Sequence, residues 1–209
     1  MSEHLQLLEA AGTGKALSDE EVLQLSSCAD TSSMMQVAAG LRDLGHQNSV
    51  SFSKKVFIPL THLCRDVCQY CTFAQVPRKL KAPYLTPEEV LKIAEAGAKA
   101  GCKEALFTLG DKPELRYKAA RDGLKELHEE STLSYLRDMA DLVFTETGLF
   151  PHLNPGLMTA PEMAELRKVS ISMGIMLESA ATRLTEKGMP HYGSPDKDTK
   201  IRLHTLADA

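Results

Sequence analysis

The sequence has no surplus of basic charge, no long apolar run, no internal repeat and no low-complexity tract. Its 24 Lys and Arg against 28 Asp and Glu leave a formal net charge of −4, which offers nucleic acid no electrostatic footprint. No apolar stretch approaches the ~18 residues that a membrane helix needs. The stretch Met1 to Gly12 carries Glu3 and Glu9 and lacks the basic n-region of a secretory signal. The same acids argue against an Arg-rich transit peptide. The expectation is a cytoplasmic protein, with an organelle left open, that binds neither nucleic acid nor membrane. At 43% apolar and 25% charged, the 209 residues are neither disordered nor fibrous, and they suffice for a core in one or two domains.

Pairing is also lacking among the cysteines. There are five, an odd number, and Cys64, Cys68 and Cys71 fall within eight residues of one another. A secreted disulfide framework tends to use even counts in shorter chains. A tight trio without a signal peptide reads instead as a metal or cluster site. Cys28 and Cys102 stand alone and read as small buried apolar residues.

Residues 1–50 read as a helical lead-in. Ser18 and Glu21 make a capping box before Val22, Leu23 and Leu25, and a second helix is expected from Ser33 to Leu44, stopped by Gly45. From residue 51 onward strands and helices alternate. Val56–Leu60 is a short apolar strand. Thr86 and Pro87 open a helix that ends near Gly101. Ala105–Leu109 is the next strand, and two helical stretches fill 114–147. A third strand is expected at Leu149–Leu153, a helix from Thr159, a fourth strand at Ser170–Leu177, and helices around 181–188 and 197–209. Apolar strands alternating with helices imply a parallel sheet with right-handed crossovers. A closed (β/α)₈ barrel takes ~250 residues. Only about four βα units fit here, so residues 51–209 read as an incomplete barrel, part of something larger.

The trio sits in Thr61-His62-Leu63-Cys64-Arg65-Asp66-Val67-Cys68-Gln69-Tyr70-Cys71-Thr72-Phe73, with the spacing C-x₃-C-x₂-C. Three thiolates from one loop suit three irons of a [4Fe–4S] cluster and leave the fourth iron open to substrate or cofactor. Arg65 is placed to keep the thiols ionised. The loop follows the first strand, where parallel α/β folds keep their chemistry. On a helix, offsets 0, 4 and 7 would share one face, but that face offers no other large apolar residue for a packing role. A closed Cys₃His zinc site with His62 is the second alternative; zinc knuckles usually come in separated pairs, and no second C-x₂-C or H-x₃-H is present.

With the aromatic Tyr70 before its last cysteine, the motif resembles the signature of radical S-adenosylmethionine (radical SAM) enzymes. The resemblance implies a partial (β/α)₆ barrel of TIM type with the cluster on the first-strand loop. It also implies S-adenosylmethionine chelated to the open iron and cleaved by one electron to a 5′-deoxyadenosyl radical. Further segments resemble one branch. They are Phe57-Ile58-Pro59-Leu60-Thr61, Thr108-Leu109-Gly110-Asp111-Lys112-Pro113-Glu114, Pro151-His152-Leu153-Asn154-Pro155-Gly156, Met173–Ser179 and His191–Asp198. Together they are similar to FO synthase, the 7,8-didemethyl-8-hydroxy-5-deazariboflavin synthase family, in its CofG-type subunit or half.

That resemblance implies roles residue by residue. Cys64, Cys68 and Cys71 ligate the cluster. Gly110 to Glu114 correspond to a Gly-Gly-Glu-like element that binds the methionine amino group, with Asp111 replacing the second glycine. Read from the residues alone, Pro113 and Glu114 also open a helix. Glu178 and Ser179 correspond to the ribose-binding position, which suits a carboxylate acceptor. Arg183 corresponds to the arginine that pairs with the cofactor carboxylate, and is otherwise an exposed helix residue. Tyr70 is expected to meet the adenine through its backbone. His152 and Asn154 end a strand at the barrel mouth, and His191, Asp196 and Lys197 are polar enough for substrate. No general acid or base is assigned.

The implied reaction closes the ring of a hydroxybenzyl–ribityliminouracil adduct with loss of ammonia, giving the deazaflavin precursor of coenzyme F(420). The implied partners are that small-molecule substrate, a CofH-type subunit or fused second half, and an external one-electron reductant. Within the superfamily, a CofH-type half, a tyrosine lyase and a biotin synthase-like enzyme are the neighbouring readings.

Overall fold

In the computed structural model, which describes residues 3–209, the chain divides into two compact units, with the division between Phe52 and Ser53. The first unit holds three helices, α1 (Glu3–Gly12), α2 (Asp19–Leu25) and α3 (Thr31–His46). Ser18 and Glu21 form the capping box at α2, each satisfying the other's backbone amide. The helix expected from Ser33 to Leu44 begins two residues earlier, because Asp30 accepts from the Ser33 amide at 3.0 Å. It runs through Gly45 and stops only where Gln47 turns to φ 52°. A glycine in a last turn need not end it.

The second unit is a parallel four-stranded sheet in the order β1-β2-β3-β4, with helices from residues 87–166 packed against one face. Its elements are β1 (Lys55–Ile58), α4 (Pro87–Lys99), β2 (Glu104–Thr108), α5 (Lys118–Glu126), α6 (Thr132–Thr147), β3 (Phe150–Asn154), α7 (Ala160–Leu166), β4 (Ser172–Met173) and α8 (Thr199–Ala207). Thr86 with Glu89, and Thr159 with Glu162, cap α4 and α7 by the same reciprocal device.

Register decides the faces. Ile58, Phe107 and Leu153 align across β1, β2 and β3 and are fully buried in one core with Val90 and Ala94 of α4 and Leu136 and Val143 of α6. A β-carbon on Gly97 would lie 2.4 Å from the Val56 β-carbon, so α4 crosses β1 at a residue without a side chain. The opposite row, Phe57, Leu106 and His152, looks away from the helices, and Phe57 is 47% exposed. With β1 and β4 both at edges, the sheet is open.

Two expected elements come out shorter. The run Ser170–Leu177 yields only Ser172–Met173 as strand. Met173 pairs with Leu153, the Gly174 amide still reaches the Leu153 carbonyl at 2.9 Å, and β3 then ends at Asn154. An apolar run cannot continue as strand past its neighbour's last carbonyl. The helix expected near 181–188 is one 3₁₀ turn, Thr182–Thr185, followed by Gly188 at φ 89°.

Candidate functional site

The cysteine loop leaves β1 and is held at both ends. The Thr61 hydroxyl accepts the Leu63 amide at 3.0 Å and donates to the Pro83 carbonyl at 2.6 Å, and the Gln75 amide donates to the His62 carbonyl at 2.8 Å. Leu63 is fully buried and anchors the entry. Gly110, after β2, presses against this entry: a β-carbon there would lie 2.0 Å from the Leu63 carbonyl oxygen and 2.6 Å from the Cys64 β-carbon. Gly110 therefore has a packing requirement independent of any ligand.

The next loop and a distant segment clamp the rest. The Arg65 amide donates to the Asp111 carbonyl at 3.0 Å, and the Arg65 guanidinium pairs with the Asp111 carboxylate. From the other side, Gln69 N–H reaches the Pro190 carbonyl at 2.9 Å, Val67 N–H the Ser194 hydroxyl at 3.0 Å, and Asp196 N–H the Asp66 carboxylate at 3.1 Å. Segment 190–196 thus lies along the loop from Asp66 to Tyr70.

All three thiols are free. Each has a polar hydrogen or hydroxyl at its sulfur. The Asp66 amide donates to Cys64 Sγ, the Ala74 amide to Cys71 Sγ, and Cys68 Sγ donates to the Ser194 hydroxyl, all at 3.4 Å. Burial pushes the Cys64 thiol up to about 12, and the carboxylates of Asp66 and Asp111 add to the effect. Burial also raises Cys68, against the pull of Ser194 and Lys197. The charge of Arg65, expected to act on the thiols, is engaged by Asp111.

The three cysteines line one cavity of about 480 Å³ at the carboxyl ends of the strands, together with Thr108, Asn154 and Glu178. Glu178 sits at φ 63°, an uncommon conformation for a residue with a side chain. Its carboxylate accepts from the Tyr70 hydroxyl and from Lys197 Nζ at 2.5 Å, with His191 Nε2 at 3.5 Å and Arg202 Nη2 at 3.8 Å. Burial opposes its ionisation, but the bonds from Lys197 and Tyr70 outweigh that and hold the carboxyl below the usual range. Burial and then Glu178 raise the Tyr70 phenol. Behind this cluster, Asp66, Asp111 and Asp196 are buried together. Burial and the charge of Asp196 raise Asp66, and they push Asp111 up to about 6 despite Arg65.

Cys64, Cys68, Cys71, Tyr70, Gly110 and Glu178 therefore meet at one cavity. Other expected residues lie elsewhere. The Glu114 carboxylate accepts the Thr132 amide at 3.1 Å and the Thr132 hydroxyl at 2.6 Å, at the start of α6; the carboxylate of its loop that lines the cavity is Asp111. Ser179 Oγ accepts the Ala181 amide at 3.1 Å and shapes a turn. Arg183 is exposed. His62 turns its Nδ1 to the Phe73 carbonyl at 3.1 Å, and His152 turns its own to Ser172 Oγ at 2.6 Å. His191, Asp196 and Lys197, read as loop polars, are buried or half-buried parts of the cluster.

Arg202 escaped sequence reasoning altogether. It is 4% exposed and lines the cavity, with Asp196 at 3.5 Å. On α8 the apolar Ile201, Leu203 and Leu206 face outward while Thr199, Arg202 and Thr205 are buried, so apolar periodicity points to the wrong side of this helix.

Among the described residues, no three His, Cys, Asp or Glu side chains converge as ligands of a single ion do. That geometry, with His62 turned to Phe73, does not favour the compact Cys₃His zinc site. A cluster spreads its thiolates over separate corners. Three free thiols on one loop, each with a hydrogen-bonding group at its sulfur, suit that demand.

A parallel α/β sheet with a three-thiol loop after its first strand, opening on a cavity at the strands' carboxyl ends, defines an α/β protein of the partial-barrel class. The chain belongs to the radical SAM superfamily, whose family model matches residues 58–197. It is 50% identical over 210 residues to the FO synthase of Mycobacterium tuberculosis, a match covering 98% of this chain and 24% of that protein. It is 48% identical over 157 residues to the 7,8-didemethyl-8-hydroxy-5-deazariboflavin synthase of Methanopyrus kandleri, covering 75% of this chain and 47% of that one. Among solved structures, the FeFe-hydrogenase maturase HydG from Carboxydothermus hydrogenoformans superposes with a TM-score of 0.76 at 21% identity, over 99% of this chain and 45% of that one. The chain spans about a quarter of the length of the FO synthases it matches. No helix among the described residues is long and apolar enough to cross a membrane.

Proposed function

We propose that this chain carries the cofactor-binding part of an FO synthase of CofG type. The reaction would convert 5-amino-5-(4-hydroxybenzyl)-6-(D-ribitylimino)-5,6-dihydrouracil to 7,8-didemethyl-8-hydroxy-5-deazariboflavin with loss of ammonia. The observation that carries the reading is the meeting of the three loop cysteines with Glu178 around one cavity, in a chain about half identical to FO synthases. When bound, a [4Fe–4S] cluster with S-adenosylmethionine supplies one-electron cleavage to a 5′-deoxyadenosyl radical.

The protein's own residues bind and orient. Cys64, Cys68 and Cys71 would hold three irons. Glu178, held ionised by Lys197, offers carboxylate oxygens to a ribose diol. Gly110 and Asp111 keep the second-strand loop against the cysteine loop. Arg202 and Asn154 line the same cavity with polar groups. The remaining barrel strands, a CofH-type partner or half, and an external one-electron reductant complete the reading. Cytoplasmic residence, with an organelle left open, belongs to it as well.

Anaerobic reconstitution of the chain with iron and sulfide tests it. About four irons per chain and an electron-paramagnetic signal perturbed by S-adenosylmethionine support the reading. Zinc near one per chain, or a signal indifferent to the cofactor, would overturn it. Product analysis separates the branch: deazaflavin fluorescence supports FO synthesis, whereas a cresol or a biotin product assigns a neighbouring family.

A further inference from the structure

Each thiol of the loop has a hydrogen-bonding group at its sulfur, and the one contributed by Ser194 differs in origin. Cys64 and Cys71 take amides from their own loop, Asp66 N–H and Ala74 N–H. Cys68 faces a hydroxyl from a residue 126 positions away, Ser194, at 3.4 Å. Ser194 is 5% exposed and fixed by the Val67 amide, which donates to its oxygen at 3.0 Å. Segment 190–196 is held in turn by Gln69 N–H on the Pro190 carbonyl and by Asp196 N–H on Asp66. The hydroxyl therefore meets the sulfur at a set distance.

A serine hydroxyl has one proton to give and two lone pairs. The Val67 N–H occupies a lone pair and leaves the proton free. A neutral Cys68 thiol donates to the oxygen, but a thiolate has no proton, so the bond must reverse and Ser194 Oγ–H must donate to the sulfur. We infer that Ser194 is a positioning residue for the centre held at Cys68, donating to its thiolate sulfur and setting the reduction potential of a [4Fe–4S] cluster ligated there. This inference rests on the reading under Proposed function. Adding one electron to the cluster makes it more negative and strengthens hydrogen bonds to its sulfurs, so such a bond raises the potential. No bond is made or broken in that step, and in the test the electron comes from dithionite.

The test is a redox titration, followed by electron paramagnetic resonance, of the reconstituted chain and its Ser194 variants. Ser194→Ala is expected to titrate at a more negative potential, with its Fe–S(Cys) stretching bands moved upward. Ser194→Thr keeps the hydroxyl and is expected to match the unsubstituted chain in both readouts. Equal potentials for Ser194→Ala and the unsubstituted chain, or a Ser194→Thr shift as large as that of Ser194→Ala, would sink the inference. If Ser194→Ala takes up no iron, Ser194→Cys against Ser194→Thr decides. The weaker thiol donor must then give the lower potential, and equality overturns the inference. An unsubstituted chain that forms no cluster overturns the functional reading itself, and the inference with it. A chain with a cluster but no Ser194 effect overturns the inference alone.

Discussion

Glu178 concentrates the site's electrostatics in one side chain. It accepts from Tyr70 and Lys197 while His191 and Arg202 stand within 4 Å. Lys197, only 11% exposed, loses its main counter-charge if that carboxylate goes. Glu178→Gln is therefore expected to weaken S-adenosylmethionine binding roughly 10- to 100-fold, the equivalent of about 1.5–3 kcal/mol for a charged hydrogen bond. Iron uptake should be retained, and calorimetry or cofactor-induced spectral change on the reconstituted chain measures both. Cys68→Ala is expected to behave oppositely, losing cluster assembly and with it any cleavage to 5′-deoxyadenosine, as read by iron analysis and chromatography. At this scale the cysteine spacing was legible because it is local. Glu178 was legible as a carboxylate following the fourth strand, though β4 ends five residues earlier at Met173; its partners were not legible, since Lys197 and Arg202 reach it only through folding. Glu114 shows the reverse case: a carboxylate beside a glycine turn, expected at the site, is bound here by Thr132.

Elements set how tightly the cysteine loop is framed. Gly110 lets β2's exit loop touch the loop from β1 with no side chain between them. Gly110→Ala forces its methyl onto the Leu63 carbonyl and should destabilise the unit by at least about 2 kcal/mol, with loss of cluster uptake, because neither backbone can yield alone. Denaturant unfolding and iron analysis test the two effects. In the core, Phe107→Ala on β2 is expected to cost about 3–5 kcal/mol, since Phe107 is fully buried between aligned Ile58 and Leu153; a fall in denaturation midpoint measures it. Helix starts were readable from Ser18, Thr86 and Thr159 because capping is a contact within four residues. The lengths of β4 and of the 182–185 turn were not, because a strand's extent depends on what lies beside it.

Across the whole molecule, the 53–209 unit presents an open parallel sheet, with one row of residues turned away from the helices and a cavity at its carboxyl end. A centre that binds only the folded loop must stabilise the fold by mass action. The reconstituted chain is therefore expected to unfold at a higher temperature than the iron-free chain, and iron removal by chelator should reverse the gain in calorimetry; identical transitions would count against a centre in this loop. The alternation of strands and helices, the parallel sheet and the thiol loop after β1 were all determined by the sequence itself. Each rests on periodicity, capping or spacing over a few residues. The tertiary structure alone decided that segment 190–196 returns to clamp the cysteine loop, that Arg202 is buried on a helix whose apolar residues face outward, and that Asp111 rather than Glu114 lines the cavity. Those outcomes depend on which distant backbone supplies the nearest hydrogen-bond partner, and no local pattern along the chain encodes that distance.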